Sequence, residues 1–185
     1  RQFKSQNSNL FFTGYAKEEK LSFTIQMDYS SSNPLVEAFI GYHFNDKTSL
    51  YFGQMQVNHN NLEMIHNEDA LRFTDRGLIS RTYTENGEEF GLFFETSFGK
   101  SIVFKPTFAI TSGDGKNSFG ADSRDSDKGG LKFGSRINIL PFGDFSIGNR
   151  LSTVDLMYEE KPKVQIGLAF SKNMGASNQV GDGHG

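Results

Sequence analysis

Residues 21–29 read Leu-Ser-Phe-Thr-Ile-Gln-Met-Asp-Tyr, and this order of side chains decides the fold class. Every second residue is apolar, and the residues between them are polar or charged. Because successive side chains of a β-strand point to opposite sides of the sheet, this period of two predicts a strand with one apolar and one polar face.

The same period recurs along the chain, so the sequence predicts an all-β protein with eight strands. The predicted strand segments are 8–17, 20–29, 35–44, 48–56, 90–98, 102–111, 131–139 and 163–171. Residues 142–161 leave two interpretations open, a long turn or a short additional strand. Pro106 is unexpected inside a strand, because proline cannot donate a hydrogen bond to a neighbouring strand.

The composition favours a single β domain over residues 1–185, with 19 Phe, 6 Tyr, 20 Gly and 4 Pro. The absence of cysteine excludes disulfides and cysteine-based zinc sites. A net charge of −3 gives no global basic field, so we expect no nucleic-acid partner. No apolar run approaches the roughly 20 residues that a membrane-spanning helix needs. The chain starts at Arg1 without a signal-peptide pattern, which a processed N-terminus or a cropped sequence would explain.

Two architectures produce this pattern of strands. A transmembrane β-barrel presents its apolar face to lipid and its polar face to the lumen, and its short turns alternate with long loops. A soluble β-sandwich buries the apolar face and exposes the polar face to water, which gives the same period. Periodicity alone leaves both architectures open.

Several segments together resemble the phosphate-selective porin family of outer-membrane β-barrels, particularly its Bacteroidota branch. Residues 47–54, Lys-Thr-Ser-Leu-Tyr-Phe-Gly-Gln, are similar to the family's strand that ends in Gly-Gln. Residues 71–78, Leu-Arg-Phe-Thr-Asp-Arg-Gly-Leu, are similar to its Leu-Gln-Phe-Val-Asp-Arg-Ser-Leu. Further similar segments follow in the family's order: Phe90-Gly91, Ser112-Gly113-Asp114-Gly115, Leu140-Pro141-Phe142-Gly143, Asp155-Leu156 with Glu159, and Pro162-Lys163. Their order and spacing over about residues 8–172 carry the resemblance, since no single motif is specific.

The resemblance implies an antiparallel sixteen-stranded barrel in the outer membrane of a Gram-negative bacterium, usually trimeric, that passes anions through a lumen lined with basic residues. The chain resembles roughly the N-terminal half of such a barrel. A half-barrel cannot stand in lipid with open edges, because its backbone groups would lack hydrogen-bond partners. We therefore expect the protein to continue past Gly185, and a closed eight-stranded barrel is the alternative.

The roughly thirty residues 57–87 are too long for a simple hairpin loop, and loops of that length usually carry function. In a barrel this loop would enter or cap the lumen. Arg72, Arg76 and Arg81 would then contact passing solutes, or Asp75 and Arg76 would anchor the loop to the wall through a salt bridge. We favour the structural role, because Asp75 already offers Arg76 a partner.

Four cations alternate onto the predicted polar faces and would line the lumen: Lys105, Lys132, Arg136 and Lys163. The family's motif has Gly-Gln-x-Lys where this chain has Gly53-Gln54-Met55-Gln56, so one expected cation is lost. Acidic residues oppose the cations that remain: Asp28, Glu37, Glu85, Glu88, Glu89 and Glu95. Because mixed walls discriminate weakly, we expect at most a weak preference for anions and no tight phosphate site.

A metal site or an enzymatic activity is not expected. Asp114, Asp122, Asp125 and Asp127 form an acidic loop, but their spacing does not match an EF-hand, and such loops are usually solvated. His43, His59, His66 and His184 lack the spacing of metal ligands. We find no catalytic motif and no phosphate-cradling loop, so we expect neither catalysis nor a cofactor.

The sequence thus predicts a porin-like channel for passive diffusion of small polar or anionic solutes. Its expected partners are outer-membrane lipid, the solutes, and either further copies in a homotrimer or other outer-membrane proteins. The alternatives are a structural subunit of a larger outer-membrane complex and a soluble β-sandwich that binds a ligand. In a barrel, the following residues would face lipid: Leu21, Phe23, Ile25, Met27, Phe90, Leu92, Phe94, Phe104, Phe108, Val164, Ile166 and Leu168.

Overall fold

A computed structural model describes residues 8–59, 65, 77–78, 87–117 and 130–175. Nine β-strands make up most of this part of the chain. They are β1 Asn9–Ala16, β2 Leu21–Asp28, β3 Leu35–Asn45, β4 Thr48–Gln56, β5 Glu88–Thr96, β6 Phe98–Gly99, β7 Val103–Thr111, β8 Leu131–Leu140 and β9 Ile166–Met174. The predicted all-β fold and its eight long strands are confirmed, and the two-residue β6 is an addition.

The strands form one antiparallel sheet in which each long strand pairs with the next one along the chain. The order is β1-β2-β3-β4-β5-β7-β8-β9, and β6 pairs with β7 at the side of this path. Within the described ranges β1 and β9 each have one neighbour, so the sheet is open and not closed into a barrel.

One sequence prediction about the last part of the chain needs correction, and one of the two interpretations left open for residues 142–161 is confirmed. The final strand begins at Ile166 and ends at Met174, so Lys163 and Val164 precede it and do not alternate on a strand. Residues 141–165 hold no additional strand; their regular structure is the 3-10 turn Ile147–Asn149. The short polar run offered no periodic signal from which this turn could be predicted.

Pro106 lies inside β7, opposite Ile137 of β8. On the other side, the pairing of β5 with β7 ends at Glu95 and Thr107. Pro106 therefore stands where β7 has no β5 partner, and its missing N–H interrupts no ladder there. This local edge is the position in a sheet that tolerates proline.

The two faces of the sheet differ in composition and in burial. We call the face that carries Phe23, Ile40 and Phe52 the apolar face, and the face that carries Tyr51 and Phe93 the polar face. The apolar face is largely open, with exposed large side chains on every long strand. The buried cluster of Val57, Phe93 and Ala109 lies on the polar side, where Tyr51 and Met55 pack against it.

The residues predicted to face lipid lie on the apolar face, apart from Val164, which precedes β9. Several of them are exposed: Phe23, Ile25, Leu92, Phe108, Val164, Ile166 and Leu168. The others on the apolar face are partly buried: Leu21, Met27, Phe90, Phe94 and Phe104. The predicted alternation thus places these side chains together, and their contact with lipid remains a prediction.

The band of apolar side chains runs diagonally across the rows of paired residues. One row on the apolar face comprises Gly14, Phe23, Ile40, Phe52, Leu92, Ile110, Phe133 and Lys172. At the β9 end of this row the side chain is a lysine; on the same face of β9, Ile166, Leu168 and Phe170 lie toward the end of the sheet that holds the turn 17–20, the short-turn end, and Met174 lies on the other side of the lysine. At the short-turn end of β4 and β5 the same face is polar, because Thr48 and Thr96 pair there and their hydroxyls hydrogen-bond at 2.9 Å.

The connections divide the sheet into two ends. At the short-turn end lie residues 17–20, 46–47, 97–102 and also the long connection 141–165. At the other end, which we call the long-loop end, lie residues 29–34 and the points where the β4–β5 and β7–β8 connections leave and re-enter the sheet. Within the ranges described, no helix is long and apolar enough to cross a membrane.

Candidate functional site

The most buried charges of the described structure form a pair on the polar face near the long-loop end. Lys132 of β8 donates from Nζ to Oε1 of Glu89 on β5 at 2.8 Å, and the two side chains are 4% and 0% exposed. The hydroxyl of Thr111, on β7 between them, also donates to Glu89. Thus the positive charge of Lys132 is compensated inside the protein by Glu89.

A second charge cluster lies at the short-turn end and links the wall to the following connection. Lys105 of β7 donates to Oδ1 of Asp144 at 2.7 Å, and Arg150 reaches Oδ2 of the same carboxylate at 2.9 Å. All three side chains are partly or largely exposed, so water screens this interaction. Lys105 is therefore anchored to the connection 141–165.

The two remaining predicted wall cations also have partners. Arg136 of β8 donates from Nε to the side-chain oxygen of Asn138 at 2.7 Å. Lys163, in the connection before β9, donates to the backbone carbonyl of Phe142 at 2.9 Å. The four predicted cations therefore lie at different levels, with Lys132 near the long-loop end, Arg136 in the middle of β8, and Lys105 and Lys163 toward the short-turn end, and they do not form one ring.

The predicted solute-contact residues Arg72, Arg76 and Arg81, and the predicted anchor Asp75, lie outside the described residues. The first residues of their loop are described. Val57 is fully buried on the polar face, and His59 packs against Gly134 of β8, where its ring leaves no room for a Cβ. Since β5 and β7 separate β4 from β8 in the sheet, this segment crosses two strands of the polar face.

His59 is held in an unusual environment for a histidine. Neither ring nitrogen has a hydrogen-bond partner in the structure as described, and both atoms are buried. Burial, followed by the nearby positive charge of Lys132, lowers the pKa of His59 from 6.5 to about 4. The ring is therefore neutral at pH 7 and acts as a packing group.

A second loop is fastened at the long-loop end by an exchange of amide hydrogen bonds. Gln54 of β4 donates to the Asn117 side chain at 3.0 Å and to the Val36 carbonyl at 2.9 Å. The Asn117 backbone N–H donates to Gln54 at 2.7 Å, and its side-chain amide donates to the Leu35 carbonyl at 3.1 Å. The chain after β7 therefore passes over β5 to reach β4 and β3. Gln54, which belongs to the Gly-Gln motif of the resemblance, therefore has a structural role here: it holds Asn117 against the start of β3.

The connection 141–165 is an ordered element that sequence reasoning missed. Asn149 is its centre: its amide donates to Asp155 at 2.7 Å and Glu159 at 3.0 Å, and its oxygen accepts from the Leu156 and Met157 backbones. A hydrogen bond from the Ser146 backbone N–H lowers the pKa of Glu159. The connection also presents exposed apolar side chains, notably Ile147 and Tyr158. In the sequence, the cluster of Asn149, Asp155 and Glu159 is the feature that could have indicated this hydrogen-bonded connection.

The polar face of β1–β4 carries a different group of side chains, also missed from the sequence. His43 of β3 bonds the hydroxyl of Ser49 through Nδ1 at 2.7 Å and the hydroxyl of Ser22 through Nε2 at 2.9 Å. The rings of Tyr15 and Tyr51 flank it, with centroids 6.3 Å and 5.9 Å from that of His43. Their nearness depends on cross-strand register, which the sequence does not specify.

In the part of the chain that the structure covers, no group of three or more His, Asp or Glu side chains could hold a metal ion. Of the acidic loop, Asp114 is described, and Asp122, Asp125 and Asp127 lie outside the described residues. Comparisons of the chain with protein-family models, curated proteins and solved structures gave no match.

Proposed function

We propose that this chain forms part of the wall of an outer-membrane β-barrel that lets small polar solutes diffuse passively across the membrane. The observation that carries the proposal is the distribution of burial between the two faces. The apolar face is exposed, whereas fully buried residues such as Val57 and Glu89 lie on the polar side. A soluble sandwich would bury the apolar face, whereas a barrel in lipid would leave it outermost.

Strand length and topology support the same proposal. The eight long strands have 8 to 11 residues, close to the roughly 9–11 residues with which a tilted strand crosses a bilayer. Each pairs with its neighbour in the chain, as in up-and-down barrels. The diagonal course of the apolar band is expected of strands that are tilted and staggered around a barrel axis.

The partners of the wall cations support a weakly selective channel. Lys105 and Lys132 each face a carboxylate, and a wall of paired charges concentrates few anions. We therefore assign small polar or weakly anionic solutes in general to this channel. The family resemblance supports the same class of solute.

Reconstitution of the full-length protein in planar bilayers tests this function. We expect ohmic single-channel currents in potassium chloride, with similar conductance for potassium and chloride. A protein that inserts into the bilayer, as shown by protease protection, and yet carries no current would overturn the channel.

A second function, as a structural subunit of an outer-membrane complex, is favoured by the connection 141–165. This connection is internally tied through Asn149 and joined to the wall through Lys105 and Asp144, yet it exposes Ile147 and Tyr158. Ordered apolar protrusions suit protein contacts. Co-purification of one stoichiometric complex that is lost in Ile147→Asp with Tyr158→Asp, together with absence of conductance, would favour this function over the channel.

A further inference from the structure

The polar face of β1–β4 differs in charge from that of β5–β9. By register, no residue on the polar face of these four strands is Lys or Arg. Its acidic groups, Asp28 and Glu37, lie toward the long-loop end. The middle of this wall is therefore uncharged and cannot attract an anion.

Hydroxyl groups and one imidazole provide the hydrogen-bonding capacity of this wall. His43 bridges Ser22 and Ser49 with bonds of 2.9 Å and 2.7 Å. A neutral imidazole donates from one nitrogen and accepts at the other, so it fixes the hydroxyl of one serine as donor and uses the other as acceptor. Each hydroxyl keeps further capacity to donate or accept, which suits ligands that carry hydroxyl groups.

Aromatic rings surround this hydrogen-bonded group. Tyr15, opposite Ser22 on the same face, is 69% exposed, although it belongs to a polar wall, and the Tyr51 ring lies on the other side of His43. Gly41 permits the arrangement, since a Cβ there would meet the Ser22 hydroxyl at 2.6 Å and the Tyr51 ring at 2.7 Å. The Tyr51 ring can therefore lie low on the wall beside His43. Rings with a polar edge offer both a flat apolar surface and hydrogen bonds.

We propose that this surface, formed by Tyr15, Ser22, His43, Ser49 and Tyr51, binds uncharged hydroxyl-rich solutes of the sugar class as they pass the wall. A pyranose ring has an apolar C–H face that can stack on an aromatic ring, and hydroxyls around its edge that can bond Ser22 and Ser49, which His43 orients. An anion would find no cation here, and a wholly apolar solute would leave the hydroxyls without partners. This assignment of a solute class rests on the proposed channel function.

The test is a maltose titration of the full-length protein, read by saturation-transfer NMR in detergent and by current block in planar bilayers. We expect saturation transfer to maltose and partial block at millimolar concentrations. Tyr15→Ala and His43→Ala should each raise the half-saturating maltose concentration about tenfold, which is equivalent to a loss of about 1.4 kcal/mol of binding free energy. Tyr15→Phe keeps the stacking ring and should keep most of the affinity. Phe108→Leu, on the apolar face, is the matched control and should bind as the original protein does.

The outcomes separate this inference from the channel itself. Potassium chloride conductance without any maltose effect would overturn the sugar site and leave the channel intact. Maltose binding without conductance would overturn the proposed channel function. If that binding depends on Tyr15, it would still support the sugar-binding surface. If inorganic phosphate blocks at lower concentrations than maltose, and Tyr15→Ala weakens that block, the assignment to uncharged solutes is wrong.

Discussion

Phe23 on β2 and Lys172 on β9 lie in one row of paired residues on the apolar face, which begins at Gly14 on β1 and ends at Lys172. One is an exposed aromatic residue within the apolar band, and the other is a cation between Phe170 and Met174 of β9. Because hydrogen-bonded rows cross a barrel at an angle to the membrane plane, the same row can begin at the depth of lipid tails and end near head groups.

A charge introduced beside Phe23 in that row should be costly. Ile40→Lys would place an ammonium within the apolar band, where the cost near the bilayer midplane is about 2–4 kcal/mol. Lys172→Leu removes a cation from the edge of the band, and we expect a change below about 1 kcal/mol. Urea unfolding of the protein in lipid vesicles measures both free energies. Equal costs at the two positions would contradict the diagonal band.

The buried pair of Glu89 and Lys132 should respond strongly to loss of one partner. Glu89→Gln or Lys132→Met alone should each destabilise by about 3–5 kcal/mol, because a buried charge is left without compensation. The double variant should cost less than either single variant. Lys105→Met, at the more exposed pair with Asp144, is the control and should cost about 1 kcal/mol or less. Additive effects of the two buried substitutions would argue against coupling.

The stability of the protein should depend on pH through His59. Its folded pKa of about 4 lies below the ordinary 6.5, so the unfolded state binds more protons between these values. The stability that neutral His59 contributes to the folded state is fully present above pH 6.5. It is lost as the pH falls through about 4, and the total loss at lower pH is about 3 kcal/mol of unfolding free energy. Unfolding of the original protein and of His59→Gln, compared from pH 7 to pH 4, isolates this contribution. Parallel curves would show that His59 is not buried in its neutral form.

Charge selectivity follows from the paired cations. Because Lys105 and Lys132 face carboxylates, the reversal potential in a potassium chloride gradient should lie near zero, with a slight preference for chloride. Asp144→Asn would release Lys105 and Arg150 and should shift the potential toward chloride. A near-ideal chloride potential in the original protein, or block by micromolar phosphate, would contradict this expectation.

Strands could be predicted from the sequence because alternation is a local signal. Residues 48–56 were predicted with the bounds that the structure gives, since Thr48–Gln56 form β4. Contacts between strands were not predictable in the same way. The pairing of Glu89 with Lys132, or of His43 with Ser22, depends on register between distant segments. The element around Asn149 was missed because its hydrogen bonds follow no period.

The most direct test of the central claim compares the two faces of a single strand. Spin labels at Phe23 and Thr24, in the full-length protein in lipid vesicles, report access to oxygen in lipid and to a nickel chelate in water. A lipid-facing apolar band and a water-facing polar wall predict high oxygen access at position 23 and high nickel access at position 24. If both labels report water, or both report lipid, the chain does not form the wall of a membrane barrel.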